Sequence, residues 1–493
     1  MEITSFPPEF EVTFKTHNDP ANPRNWSTWY KAFLIGCASW TTWLVVLYST
    51  TYTSGIQELM SEFHSSNFVV TLGVTTYLCG LAVGAVLSAP LGEVYGRKVV
   101  LVVGMFMFIV FLIPCNFTTA ISQILVLRFL GAMAGSASIA NSPGILVDVV
   151  PEESRALAYS IWSIGPLNGP VFGAVIGGFV TQYLGWRWTN WLILIFAGFS
   201  FAMLCCIKET YPPVILRRQA NDLRLKTGDG RWWSRHEQNI PLREMLRVNL
   251  SRPLKMTFQE PIIIFFNVYI GLIYGILYLC FVAYPYVFHE VRGWTLGFSG
   301  LAFLGIGLGG FLTIVAEPLI KRMIRSHKPD PGTRSPPPEC MMSIVCIASV
   351  LIPTGQLWFS WTCLPTRIHW IWPILAGVPI GAGNIAVFIY ATTYLANTYE
   401  LYAASALASN TVVRSVLGGV LPLIGSRLYQ SLGANWASSL LGFLQIAIIP
   451  IPFVFYKYGD RIRKRSSLIA SIQEEKTRNA LLHGSGGLLR DEC

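Results

Sequence analysis

Glu209-Thr210-Tyr211-Pro212-Pro213 opens a polar stretch that runs to Lys255-Met256, and the reading of this stretch decides the fold. From Lys208 to Gln259 there are eleven basic residues (Lys208, Arg217, Arg218, Arg224, Lys226, Arg231, Arg235, Arg243, Arg247, Arg252 and Lys255) against five acidic ones. The sequence on each side divides into six apolar runs of roughly 20 residues, the length that crosses about 30 Å of hydrocarbon as a helix. A basic loop between two six-run halves predicts an all-α integral membrane protein, with twelve transmembrane helices in two six-helix bundles.

Composition excludes a set of soluble domains. Of the 493 residues, 53% are apolar and 13% charged, and the mean hydropathy is +0.49. An ordinary soluble chain carries about 25% charged residues. The net charge of +10 sits in loops and tails beside apolar runs, which fits positive-inside anchoring and argues against a nucleic-acid partner. The ten cysteines form no Cys-x-x-Cys pair and lie mostly inside apolar runs, so neither a disulfide framework nor a metal site is expected. The polar, Pro-rich first 31 residues do not read as a cleavable signal peptide.

Spans are predicted at about 32–53, 68–90, 99–117, 121–147, 156–181 and 188–207 in the first half. The second half gives about 261–286, 295–320, 340–361, 368–393, 402–424 and 435–457. The domain reading is an N-terminal tail (1–31), an N-terminal bundle (32–207), a central loop (208–259), a C-terminal bundle (260–457) and a C-terminal tail (458–493). Bases concentrate at Arg97-Lys98, Arg155, the central loop, Lys321 to Arg334 and Arg461 to Arg465, which puts those loops and both tails on the cytoplasmic side. Asn116-Phe117-Thr118 then faces outward as a candidate glycosylation sequon, or as a chance tripeptide close to the membrane. Trp232-Trp233, among arginines, fits either a helix on the membrane surface or a linker.

Span five carries the sharpest pattern. Gly165, Gly169, Gly173 and Gly177 recur every four residues, interleaved with Pro166, Pro170 and Gly178. A stripe without side chains lets a second helix approach closely, and proline frees carbonyls that need other donors. The expectation is a kinked helix at a moving interface; ordinary helix packing is the competing reading. Between spans two and three, Gly92-Glu93-Val94-Tyr95-Gly96-Arg97-Lys98 makes a tight basic turn, with Asp148 at the end of span four as the natural partner of Arg97. Such a charge cluster biases a two-state equilibrium if it latches one state; the alternative is a turn that only sets topology.

These stretches resemble the major facilitator superfamily, specifically its fungal twelve-span drug:proton antiporter branch. Leu91 to Lys98 is similar to the loop-two/three signature, and Gly169-Pro170-x-x-Gly173 to Gly178 to the antiporter motif. Arg128 sits at the span-four arginine, and Tyr402-Ala403-Ala404-Ser405 through Asn410 and Arg414 resembles the span-eleven sequence. Asp19 to Trp26 and Pro450 to Gly459 fit the branch's entry and tail segments, so the resemblance covers nearly the whole chain. Two departures stand out: Ala174 replaces a frequent second proline, and Val282 occupies a position that is acidic in many relatives. The resemblance implies efflux of drugs or secondary metabolites, with the proton gradient as driving force, no cofactor and a monomer in the bilayer. The implied location is the plasma membrane, with the vacuolar membrane second.

Intramembrane charges are expensive and usually functional, which singles out Arg128 and Arg414. Snorkelling to the surface is the alternative for Arg128. No Asp or Glu is placed near the middle of a predicted span, leaving Asp148 with Glu93 as the candidate titrating pair. Candidate substrate contacts are Asn141, Trp162 and Asn168 in the first half, and Asn267, Tyr274, Tyr278, Asn384, Tyr390 and Asn410 in the second. That mixture suits a neutral, partly apolar organic molecule. An importer or uniporter of one metabolite, such as a polyamine, is the runner-up. Enzyme activity is not expected, because neither a His-Glu-x-x-His pair nor a Gly-x-Ser-x-Gly elbow occurs, and no phosphate-binding loop supports an ATP-driven pump.

Overall fold

The computed structural model describes residues 8–14, 19–235, 242–327, 337–399, 402–466 and 468–469, which are almost entirely helical. The chain separates into two compact units, Met1–Leu250 with Phe281–Phe303, and Ser251–Cys280 with Leu304–Cys493. In order, the helices are α1 (Thr28–Thr51), α2 (Ile56–Glu62), α3 (Asn67–Val94), α4 (Arg97–Leu112), α5 (Ile121–Val149) and α6 (Glu152–Leu184). Next come α7 (Trp186–Cys206), α8 (Pro212–Thr227), α9 (Leu242–Gln259), α10 (Pro261–Pro285), α11 (Leu296–Leu301) and α12 (Leu304–Val315). The last are α13 (Glu317–Arg325), α14 (Cys340–Thr362), α15 (Ile371–Leu375), α16 (Gly377–Tyr399), α17 (Ala403–Ile448) and α18 (Pro450–Arg463).

Sequence chemistry sets several of these ends. Ser27 and Ser66 cap α1 and α3 by accepting the amides of Tyr30 and Val69. The Asp19–Trp26 entry folds on itself, with Asp19 accepting Ala21 N–H and Trp26 Nε1 donating to Pro20 O at 3.1 Å. The long helices are apolar on every side, as lipid demands. In α4, Leu101, Met105, Phe108 and Leu112 are buried along one face, while Val99, Val103, Phe106 and Val110 are exposed on the other. In unit 2 the core runs from Phe266 and Tyr269 through Val345 and Ile352 to Tyr394 and Phe455.

Among the described residues, eleven helical stretches are long and apolar enough to cross a membrane. The last, Ala403–Arg463, has 61 residues and would measure about 90 Å as one straight helix, against about 30 Å of hydrocarbon. Gly433, with φ +74°, breaks it into two crossing segments and restores the count of twelve. The predicted gap at 425–434 is therefore helical almost to its end. Span eight is instead divided into α11, α12 and α13.

The central stretch is not a featureless linker. Pro212 and Pro213 start α8. Phe10, Glu11 and Val12 then lie along Trp233, with Val12 N–H donating to Trp233 O at 2.8 Å and Trp233 N–H to Phe10 O at 3.1 Å. Val12 packs with Leu216 and Ala220, and Phe14, Leu223 and Trp232 close over them. Arg235 pairs with Glu11, and the Arg231 guanidinium lies 4.2 Å from the Phe10 ring centre. Trp232-Trp233 thus seals a small core. Val12→Asp puts an unpaired carboxylate into it and is expected to hasten tryptic cleavage at Arg224 and Lys226 in limited proteolysis. Cleavage at the wild-type rate would mean that the segment does not hold α8.

Candidate functional site

The turn between α3 and α4 is built around one carboxylate. Gly96 has φ +100°, and a Cβ there would collide with Glu209. Glu209 Oε1 accepts Arg97 N–H at 2.9 Å, and Oε2 accepts Lys98 N–H at 3.2 Å, so a negative charge sits on the α4 N-terminus. The same Oε1 accepts Thr210 and Tyr211 N–H. Arg97 Nη1 donates to Asn141 Oδ1 at 3.0 Å, and Nε lies 3.7 Å from Asp148 Oδ2. Gly92 leaves room for Asn141, and Gly144 for the guanidinium. Tyr211 faces Arg97 at 4.9 Å; burial holds its phenol above the ordinary range, so Arg97 meets a neutral ring. Glu93 is exposed and takes no ion pair among the described residues.

The span-five glycines form a seam with α1. A Cβ on Gly165 would lie 2.5 Å from Ser39 O, on Gly169 3.1 Å from Trp43 O, and on Gly177 2.7 Å from Thr51 O. On Gly173 it would overlap Leu47 O and the Thr50 hydroxyl. Pro166 cannot donate to Trp162 O, and Ser39 Oγ donates to that carbonyl instead, at 2.9 Å. Pro170 O accepts the Thr50 hydroxyl at 2.8 Å. Gly178 points elsewhere, to Leu296 O of α11. The four-glycine stripe is thus an internal seam of unit 1.

The two intramembrane arginines receive different treatment. Arg128 is 1% exposed and does not snorkel. Its guanidinium lies 4.7, 4.2 and 4.8 Å from the ring centres of Tyr48, Tyr52 and Tyr77. Nε donates to Gly73 O at 2.8 Å and Nη2 to Tyr48 O at 3.4 Å, while Nη1 has no acceptor among the described residues. A desolvated cation–π contact is worth about 2 kcal/mol, so three rings offset much of the burial. Arg414, in unit 2, is only half buried. Its guanidinium lies 4.7 Å from Phe388 and 5.1 Å from Tyr274, and Nε is buried without an acceptor.

Several candidate contact residues are occupied by their own unit. Asn410 donates to Asn267, and Asn267 to Ser409. Asn141 Nδ2 donates to Ser88 O and Ala137 O, and Tyr390 to Glu317 at 2.5 Å. Asn168 and Asn384 bond back to their own helices, at Ile164 O and Ile380 O. Tyr278 is buried, 4.7 Å from Tyr274 between ring centres. Trp162 is half buried, and its Nε1 has no acceptor among the described residues. Asn116 is 5% exposed and donates to Leu112 O and Ile113 O, so glycan attachment requires it to leave those contacts. Among the described residues, no His, Cys, Asp and Glu cluster converges to hold a metal.

A family model described as Major Facilitator Superfamily matches residues 32–422, most of both units. The chain belongs to the major facilitator superfamily. It is 40% identical over 454 residues to the citrinin biosynthesis cluster MFS transporter of Monascus ruber, covering 91% of this chain and 90% of that one. It is 39% identical to a major facilitator superfamily multidrug transporter of Aspergillus fumigatus, over 94% of this chain and 76% of the relative. Among solved structures it is similar in fold to the xylose transporter XylE from E. coli, in a partially occluded inward-open conformation. The TM-score is 0.62 at 13% identity, covering 87% of this chain and 98% of that one. The superfamily member described here is a multi-pass membrane transporter and not an enzyme.

Sequence reasoning missed Glu209, the three tyrosines around Arg128, and Phe388 beside Arg414. Only Glu209 left a local trace, as a lone carboxylate at the mouth of a basic loop. For the seam, Gly173→Leu adds a side chain where backbone already stands, an overpacking cost of about 1–3 kcal/mol. It is expected to lower the melting temperature of the purified transporter, whereas Gly198→Leu, whose Cβ meets nothing within 4 Å, leaves it unchanged. Equal melting of both variants would remove the seam as a packing contact.

Proposed function

We propose that this transporter exports small organic molecules from the cytoplasm across the plasma membrane by alternating access, with protons moving inward. The observation that carries the reading is the α6 seam. Its Gly169–Pro170–Gly173–Gly178 pattern resembles the antiporter motif, and here Gly169 and Gly173 pack closely against α1, with Ser39 donating to the Trp162 carbonyl that Pro166 frees. Relatives named as efflux pumps support the outward direction. In this reading the protein alternates between states open to opposite sides of the membrane.

Asp148 is the titrating group of the proposal, 10% exposed beside Arg97. As a carboxylate it attracts the guanidinium; protonation removes that attraction and loosens Arg97 from the α3–α4 turn, which biases the equilibrium between the two access states. The exposed Glu93 has no such partner among the described residues. Among the described residues no Asp or Glu stands near the middle of a span. That feature favours the second reading, an importer or uniporter.

Accumulation of a labelled small-molecule panel in cells lacking their own efflux pumps separates the two. Export predicts severalfold lower accumulation with the wild-type protein, restored by a protonophore and by Arg97→Ala at equal surface expression. Raised accumulation, or flux indifferent to the protonophore, would replace export with the importer or uniporter.

A further inference from the structure

Arg414 stands in the twelfth position of α17, and Tyr274 and Phe388 are near the middle of α10 and α16. All three belong to unit 2, and all three side chains are only partly buried. No carboxylate pairs with Arg414 among the described residues, and its Nε has no hydrogen-bond acceptor. Aromatic faces attract the cation but are poor acceptors for the five N–H donors of a guanidinium. Unit 1 treats its buried arginine differently, with three rings and two backbone carbonyls around Arg128. The contrast is between an arginine with two backbone acceptors and one with none among the described residues.

A lone cation at mid-membrane is costly unless an anion or water completes it. A planar carboxylate matches the guanidinium fork with two parallel hydrogen bonds, and the adjoining rings suit a flat, conjugated body. We infer that Arg414, Tyr274 and Phe388 form a subsite for aromatic organic anions, with Arg414 holding the carboxylate and setting substrate charge. The inference rests on the export reading and replaces the neutral substrate expected from sequence with an acidic one. It does not require Asp148 to titrate.

The test compares salicylate with salicylamide, near-isosteric molecules that differ in charge at neutral pH, by titration calorimetry on the purified full-length protein in nanodiscs. Wild type is expected to bind salicylate about tenfold more tightly, a difference of about 1.4 kcal/mol. Arg414→Gln should equalise the pair, and Arg414→Lys should keep part of the preference, since it retains the charge without the fork. Gly198→Leu, in unit 1 and outside the subsite, should keep the full preference, and an unchanged melting temperature of Arg414→Gln separates a binding role for Arg414 from a general loss of fold. Equal affinities in wild type, an undiminished preference in Arg414→Gln, or binding of neither probe would overturn the inference and leave a hydrated arginine. Vesicle flux keeps the two readings apart. Export of neutral compounds without anion preference sinks the subsite alone, whereas anion binding without export sinks the export reading alone.

Discussion

In unit 1 everything depends on how closely α1 approaches α6. Lipid supplies no hydrophobic force between helices, so contact must come from van der Waals packing and hydrogen bonds. Glycine at every fourth position of α6 lets the α1 backbone sit against it, and Ser39 reaches the carbonyl that Pro166 leaves open. The opposite faces of α1 can then serve other neighbours. Tyr77 donates to Val45 O at 2.6 Å, Tyr48 to Asn190 at 2.9 Å, and Trp40 to Ser200 at 3.0 Å. The cage around Arg128 takes two of its three rings from Tyr48 and the adjoining Tyr52. Displacing α1 would therefore open the charge as well as the seam.

The treatment of charge follows from the same solvent constraint. Arg97, Glu209, Asn141 and Asp148 gather at a helix junction, where backbone amides donate to the Glu209 carboxylate. Unit 2 has a counterpart at the start of α14, where Glu339 pairs with Arg463 of α18, Nε to Oε1 at 2.7 Å. The signs are exchanged: in unit 1 the carboxylate follows the sixth span and meets the third, and in unit 2 the carboxylate precedes the ninth and meets the twelfth.

The spans were legible because the length of an apolar run is itself a physical signal. Their ends were less so, since Gly433 gives little local warning that a long helix turns there. The glycine stripe announced a close contact, but not that the contact lies inside one unit. Glu209 and Arg97 are 112 residues apart, and no local periodicity links them. Tyr48, Tyr52 and Tyr77 look like any other large side chains in helices that are apolar all round, where nothing in the pattern tells which face points inward. Trp232-Trp233 posed the reverse difficulty: its partner, Phe10 to Val12, lies beyond the first span.

Under the export reading, coupling to protons falls to the few groups that change protonation. The most direct measurement is substrate flux and lumenal pH recorded together in liposomes with an entrapped pH dye and an acidic lumen. Proton-coupled export predicts that substrate enters against its gradient through molecules whose cytoplasmic face points outward, while the lumen becomes more alkaline in step. Substrate that merely equilibrates, with no accompanying proton movement, would contradict the account.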